Sequence, residues 1–292
     1  MSLEEKKSPE FGNKTGYDEI FETVKTIDVV SQENKSWSLD ELEVLLDDSF
    51  KKAGQKALKD NKGVIYTTLS GGLDSTLSLV FLRKNFENAK IVTFTMGGDE
   101  EHPDIKYGHL AAKTFKTEHH EFIPTPNEIH AGLEDFKRDR PSEDLEKAVF
   151  VGDFDGYLLY KYISRFRPKT VIVHDGIDEQ MGGYWAHRKK MSKTERKEQF
   201  RILWKELKFE QLDQLIKTSQ EFGIHLLFPY LDEELVGFIA KIPVGGRVKG
   251  EIGKIPLRKI AARLEVPQEI IDRPKRGAIG MLEIEELRRL PK

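Results

Sequence analysis

The 292-residue chain contains no cysteine. That single absence excludes a structural disulfide, a thiolate zinc site and a cysteine nucleophile. Long apolar runs are missing too, so no segment reads as a membrane span. The first residues, MSLEEKKSPEFGNK, are polar where a signal peptide would carry an apolar stretch. Nor is there an excess of positive charge: 47 Lys and Arg stand against 50 Asp and Glu, a formal net charge of -3. Non-specific nucleic-acid binding rests on such an excess, so neither nucleic acid nor membrane is an expected partner. The expectation is a soluble, cytoplasmic protein. Repeats and low-complexity tracts are also lacking.

What is present alternates between two periods. Residues 1–36 read as an extended or partly ordered N-terminal arm, and 37–292 as one domain. SLDELEVLLDDSFKKAGQKAL opens with Ser38 or Asp40 as N-cap and carries leucines at helical spacing. Val64-Ile65-Tyr66-Thr67-Thr68-Leu69 is β-branched and aromatic and reads as a buried strand. AKIVTFTMGG, EHHEFI and KTVIVHDG are further strand candidates. Between them lie helical stretches, one opened by Pro103 and another spanning Glu143 to Arg167. Strands alternating with helices predict an α/β fold with a parallel sheet covered by helices. From Met191 onward the pattern is mainly helical, a C-terminal half packed on the sheet.

The first strand ends in LSGGLDS, Leu69 to Ser75. Strand-to-helix turns of open α/β sheets are where ligands bind. Backbone N–H groups of such a turn and the N-terminus of the next helix favour phosphate, and Gly71 and Gly72 permit close approach. Ser70, Ser75 and Thr76 add hydroxyls. Asp74 would repel phosphate unless a magnesium ion lay between them. The loop is not a Walker A motif, because Leu73 and Asp74 follow the glycines where Lys and Ser or Thr are required. A second acidic cluster, HDGIDEQMGGY (His174 to Tyr184), follows the fourth strand. Carboxylates from two strand ends can hold one magnesium against a pyrophosphate. Read alone, each block also has a plain structural explanation as a turn or an N-cap. Five histidines (His102, His109, His119, His120, His130) invite a zinc reading, which the lack of tight ligand spacing disfavours.

The full string LSGGLDS resembles the pyrophosphate loop of the ATP pyrophosphatases, most closely as found in asparagine synthetases and the related β-lactam synthetases. HDGIDEQMGGY resembles that superfamily's second motif, with Asp175 where the family has glutamate, His174 for glycine, Val173 for serine and Gln180 for an apolar residue. LLFPYLDEELVGFIAKIP resembles its third, with His225 and Leu227 in place of Glu and Arg; Asp232 reads first as an N-cap. GKIPLRKIAARLEVPQEIIDRPKRGAIG resembles its closing segment through Lys254, Leu257, Arg258, Pro267, Ile271, Arg273, Lys275 and Gly277. The resemblance runs from about Leu39 to Gly280.

The resemblance implies an adenine nucleotide alpha hydrolase-like fold and an ATP- and magnesium-dependent ligase that adenylates a carboxylate, releases pyrophosphate and forms an amide. Leu69, Ser70, Gly71, Gly72, Asp74, Ser75, Thr95, Met96, Gly176 and Lys254 would bind ATP or pyrophosphate. Asp74 and Asp178 would hold the metal. Asp175 would orient the acceptor, and Lys275 would stabilise transition-state charge. Met96 reads equally as core. The expected acid is aspartate. Without a cysteine glutaminase, the nitrogen source would be ammonia or a separate glutaminase subunit; a homodimer is also allowed for. The same chemistry on another amino-acid or biosynthetic carboxylate, a non-catalytic ATP-binding module, and adenylation of a nucleic-acid base are the alternatives.

Overall fold

In a computed structural model of the chain, the described residues are 17–33, 35–143, 147–148 and 152–274. Five strands form the sheet: β1 (Val64–Thr68), β2 (Lys90–Met96), β3 (Glu118–Phe122), β4 (Thr170–Ile172) and β5 (His225–Leu227). Their order is β3-β2-β1-β4-β5, and all four pairings are parallel. The expected α/β class is therefore observed. The chain first builds outward from β1 through β2 to β3, then crosses to the other side of β1 for β4 and β5. Strand order reverses between β1 and β4, and ligands bind outside the carboxyl ends of the strands at such a reversal.

Side-chain alternation sorts the strands onto two faces. On one face Ile65 and Ile172 join Leu42, Leu46, Phe50, Leu77, Phe81, Leu257 and Ile260 in one apolar core. On the other, Val92, Phe94, Val171 and Val173 pack with Tyr160, Phe200, Trp204 and Leu226. Both faces are covered, which is why these strands read as near-continuous apolar runs. The helices α2 (Leu39–Asp60), α3 (Leu73–Asn85) and α4 (Pro103–Thr114) flank the first three strands, while α1 (Asp18–Thr26) packs against the C-terminal half. Ser38 caps α2 by accepting the Glu41 N–H at 3.1 Å, and Pro103 sits in the first turn of α4, as their chemistry predicts.

Three features differ from the periodicity. The arm contributes α1, whose neighbour Tyr17 is buried, its hydroxyl accepting the Leu226 N–H at 2.8 Å. β5 carries no strand pattern in the sequence, because three residues are too few to show alternation. The Glu143–Arg167 stretch contains a helix over Asp153–Ser164 among its described residues. Arg247 is wholly buried in the C-terminal half. Its guanidinium donates to three backbone carbonyls, Ile242 at 2.7 Å, Gln180 at 2.9 Å and Val29 at 2.7 Å. Burial lowers its pKa to about 9.

Candidate active site

The chain leaves β1 through Leu69, which is held in line by its N–H bond to Phe94 O at 2.7 Å and by the Thr95 hydroxyl on its carbonyl. Gly71 then takes a left-handed φ of +65°, and a Cβ there would run into the backbone of Tyr107 and Gly108 in α4. A side chain at 71 is excluded by both conformation and space. Ser70 Oγ accepts the Gly72 N–H at 3.3 Å and meets Ser75 Oγ at 3.1 Å. Gly72 is the N-cap of α3, so Asp74 occupies its first turn, where the helix dipole favours a carboxylate.

The chain leaves β4 one crevice away. His174 Nε2 lies 2.6 Å from Thr68 O. A carbonyl only accepts, so Nε2 carries the hydrogen and Nδ1 is the acceptor. Burial pushes the imidazole's pKa down, which keeps it neutral. Asp175 Oδ1 accepts the Gln211 amide at 2.5 Å. Gly176 caps the short helix Ile177–Met181, which carries the buried Asp178 and Glu179. Tyr184 OH donates to Glu179 Oε1 at 2.7 Å, and burial holds its pKa well above the usual phenol range. Gln180, where the resembling motif is apolar, donates to Gly176 O at 3.0 Å and Tyr230 O at 2.8 Å. The amide thus ties the second motif to the third.

The two exits meet at a lysine. Lys254 Nζ is ion-paired with Asp74 Oδ2 and, at 2.5 Å, with Asp178 Oδ1. Lys254 is 5% exposed and adopts a left-handed φ of +58° as the N-cap of the helix Ile255–Arg263. The approach depends on Gly183, where a Cβ would overlap Asp178 Oδ1 and press on Lys254 Cε. Tyr230 OH donates to Asp74 O at 2.9 Å and fixes the carboxylate's backbone.

The closing segment reaches the loop through Arg273. Its Nη1 donates to Ser70 O at 2.6 Å, its Nη2 pairs with Asp104, and its guanidinium lies 4.8 Å from the Tyr107 ring centroid. Lys275, two residues further, lies outside the described residues.

Of the predicted site residues, the structure brings together Ser70, Gly71, Gly72, Asp74, Ser75, Asp175, Gly176, Asp178 and Lys254. Leu69 and Thr95 are buried and support the loop from behind. Met96 is 3% exposed and packs in an apolar cluster with Phe122 and Leu133. Asp232 caps a helix, its Oδ1 accepting the N–H groups of Glu234 and Leu235 at 3.2 and 3.3 Å. Among the described residues no three His, Asp or Glu side chains are grouped to hold a metal. His119 and His120 face opposite sides of β3: His119 meets Thr93 Oγ1 at 2.8 Å, and His120 packs 4.4 Å from the Phe166 ring.

Gln211 and Tyr230 were missed by the sequence reading. Gln211 lies in a π-helical turn, Lys208–Leu212, inserted between two α-helices. Single π-turns recur at functional sites. In sequence the surrounding KFEQLDQL reads as uninterrupted helix, so no local signal marks it. Tyr230 precedes the Asp232 cap in the third block and was read only as part of that motif.

A magnesium ion would fit this donor set. Asp74 Oδ1 is buried with no hydrogen-bond partner among the described residues, and magnesium is typically held by one or two carboxylates together with substrate phosphates.

A family model described as Asparagine synthase matches residues 45–222 and 217–290. Among curated relatives, the mouse (Mus musculus) asparagine synthetase (glutamine-hydrolyzing) is 29% identical over 241 residues, covering 80% of this chain and 42% of its own. The chicken (Gallus gallus) protein of the same name is 30% identical over 233 residues, covering 77% and 41%. The chain thus spans less than half the length of these relatives. A solved NMN synthetase from Francisella tularensis superposes with a TM-score of 0.44 at 15% identity, covering 83% of this chain and 77% of its own.

Proposed function

The chain belongs to the asparagine synthase family, and on that premise we propose that it is an ATP- and magnesium-dependent amide-forming ligase that releases pyrophosphate and AMP. One observation carries this reading: carboxylates from the first and second motifs, Asp74 and Asp178, converge on one cationic position at the β1/β4 crevice. A structural role alone would not require two motifs a hundred residues apart to share a charge there.

In this reading the Ser70–Ser75 loop and the start of α3 bind the pyrophosphate half of ATP, with Lys254 as a phosphate-binding cation. Magnesium bound by Asp74 and Asp178 would supply positive charge against the departing pyrophosphate. A carboxylate oxygen of the substrate attacks the α phosphorus; the bond to the bridging oxygen breaks and pyrophosphate leaves. Ammonia then attacks the acyl carbon, AMP leaves, and one proton is released. Lys275 stabilises the charge that develops on the phosphoryl oxygens. Asp175 orients the acceptor, and Gln211 holds Asp175. Nitrogen comes as free ammonia or from a separate glutaminase subunit.

Aspartate is the leading acid. A different amino-acid or biosynthetic carboxylate is favoured by one feature: the acceptor side carries His174 and an Asp175–Gln211 pair where the family motif has glycine and glutamate. The deciding experiment is pyrophosphate release from Mg·ATP with aspartate and ammonium varied separately. Release that needs both, with asparagine formed, establishes the leading reading. Release that needs another acid establishes the second. No release with any acid, despite ATP binding, overturns the ligase assignment.

A further inference from the structure

We propose that Lys254 is a resident counter-ion for the metal site: its ammonium holds the Asp74 and Asp178 carboxylates together until magnesium and the nucleotide's phosphates arrive together to displace it. The inference rests on the metal assignment made above and adds a state that precedes it.

The geometry is unusual for a phosphate-binding lysine. Its ammonium is not directed to open space but ion-paired with both carboxylates, and the side chain is almost wholly enclosed. Two carboxylates from separate elements, both largely shielded from solvent, repel one another when no cation lies between them. A fixed lysine is one solution, yet a purely structural one would use the carboxylates fully. Here Asp74 Oδ1 stays buried with no hydrogen-bond partner among the described residues. The lysine therefore meets the charge of the pair while leaving coordination capacity that a metal could use.

The surroundings are built for this pairing. Gly183 has no side chain, which leaves room for Asp178 Oδ1 and the lysine stem. Lys254 N donates to Met181 O at 2.9 Å, fixing the backbone at the end of the Asp178 helix. The backbone is thus anchored, while four methylenes let the ammonium move. A compact, rotatable point charge can leave the carboxylates and pair with phosphate without any backbone motion. Two consequences follow. Metal alone competes with a tethered cation and binds weakly. Metal with a polyphosphate binds well, because the displaced ammonium finds a new partner.

The test uses the full chain and Mn²⁺ as a paramagnetic probe, with free Mn²⁺ read by electron paramagnetic resonance in the absence of nucleotide. Lys254→Met should bind Mn²⁺ at least ~10-fold more tightly than the wild type, since removing the cation unmasks both carboxylates. Lys254→Met combined with Asp178→Asn should return to weak binding. Equal Mn²⁺ affinity in wild type and Lys254→Met overturns the proposal. Should Lys254→Met not fold, Lys254→Gln serves in its place, and the wild type gives an independent readout. Its melting temperature should stay unmoved by MgCl₂ alone and rise by a few degrees (roughly 2–4 °C) with Mg²⁺ and a non-hydrolysable ATP analogue. A comparable rise from MgCl₂ alone overturns the proposal. None of these readouts requires turnover. Failure of the wild type to form an amide with any acid, alongside tight Mn²⁺ binding by Lys254→Met, would remove the ligase reading and leave the counter-ion standing.

Discussion

The two sides of the β1/β4 crevice are built differently. The β1 loop is bonded within itself: Ser70, Gly72 and Ser75 lie within six residues, and their bonds to one another are local. The β4 side is assembled from distance. Asp175 is held by Gln211, 36 positions away, and Gln180 by the carbonyl of Tyr230, 50 positions away. The first side resembles the family motif residue for residue; the second departs from it at 173, 174, 175 and 180. A phosphate group makes the same demands whatever acid is activated, so one local loop can meet them. An acyl substrate makes particular demands, and side chains from several elements must be gathered to meet them. On the proposed function, the shared chemistry and the substrate choice thus fall to different walls of one crevice.

Substitutions on the two walls should separate accordingly. The largest effect is expected for Asp74→Asn: pyrophosphate release should fall by ~1000-fold whichever acid is supplied, because charge opposite the departing group is lost. A loss seen with one acid only would break the division. Lys275→Ala should retain ATP binding and lose adenylation by about 100-fold or more, measured as acid-dependent exchange of labelled pyrophosphate into ATP. Unchanged turnover would remove Lys275 from its role. Gln211→Ala should cost about 10- to 100-fold in kcat/KM, because a misaligned orienting carboxylate is felt at the reacting centre. That loss should appear in the acid or amine parameters and leave the KM for ATP nearly constant. A raised KM for ATP instead would merge the walls.

The smallest effect concerns stability and pH. His187 is buried on the β4 side against Phe200, at 4.2 Å between ring centroids, and burial lowers its pKa to about 3. Its unfolded value is ordinary, about 6.5. Between those values the unfolded chain binds a proton that the native state does not, so stability falls as pH drops below about 6.5. His119, lowered to about 4 by burial, acts in the same direction. Chemical denaturation at pH 7 and pH 5 should show the loss, and His187→Gln should reduce it. A slope unaltered by His187→Gln would place the loss elsewhere.

What could be read in advance follows the same division. The Ser38 cap, the proline start of α4, the Asp232 cap and the glycine loop are each determined within about four residues, and each was legible. The strand order was not, because register and crossover are set by packing on both faces. β5 was too short to carry a period. Gln211 was hidden because a π-turn leaves the helical pattern of its neighbours intact. Lys254 was assigned to phosphate from its motif, but its pairing with Asp74 joins residues 180 apart. No window of sequence contains that contact.

The buried Arg247 sets a timetable for the protein's manufacture. Its three carbonyl partners belong to residues 29, 180 and 242, so one contact spans 218 positions. Until that arginine has been synthesised, the Gln180 carbonyl in the Asp178 helix lacks its donor. The growing chain can therefore form the strands while still on the ribosome, but the second wall waits until residue 247 has been translated. A nascent chain stopped shortly before residue 247 would display the β1 loop beside an unfinished cleft, and proteases or chaperones would meet it in that form.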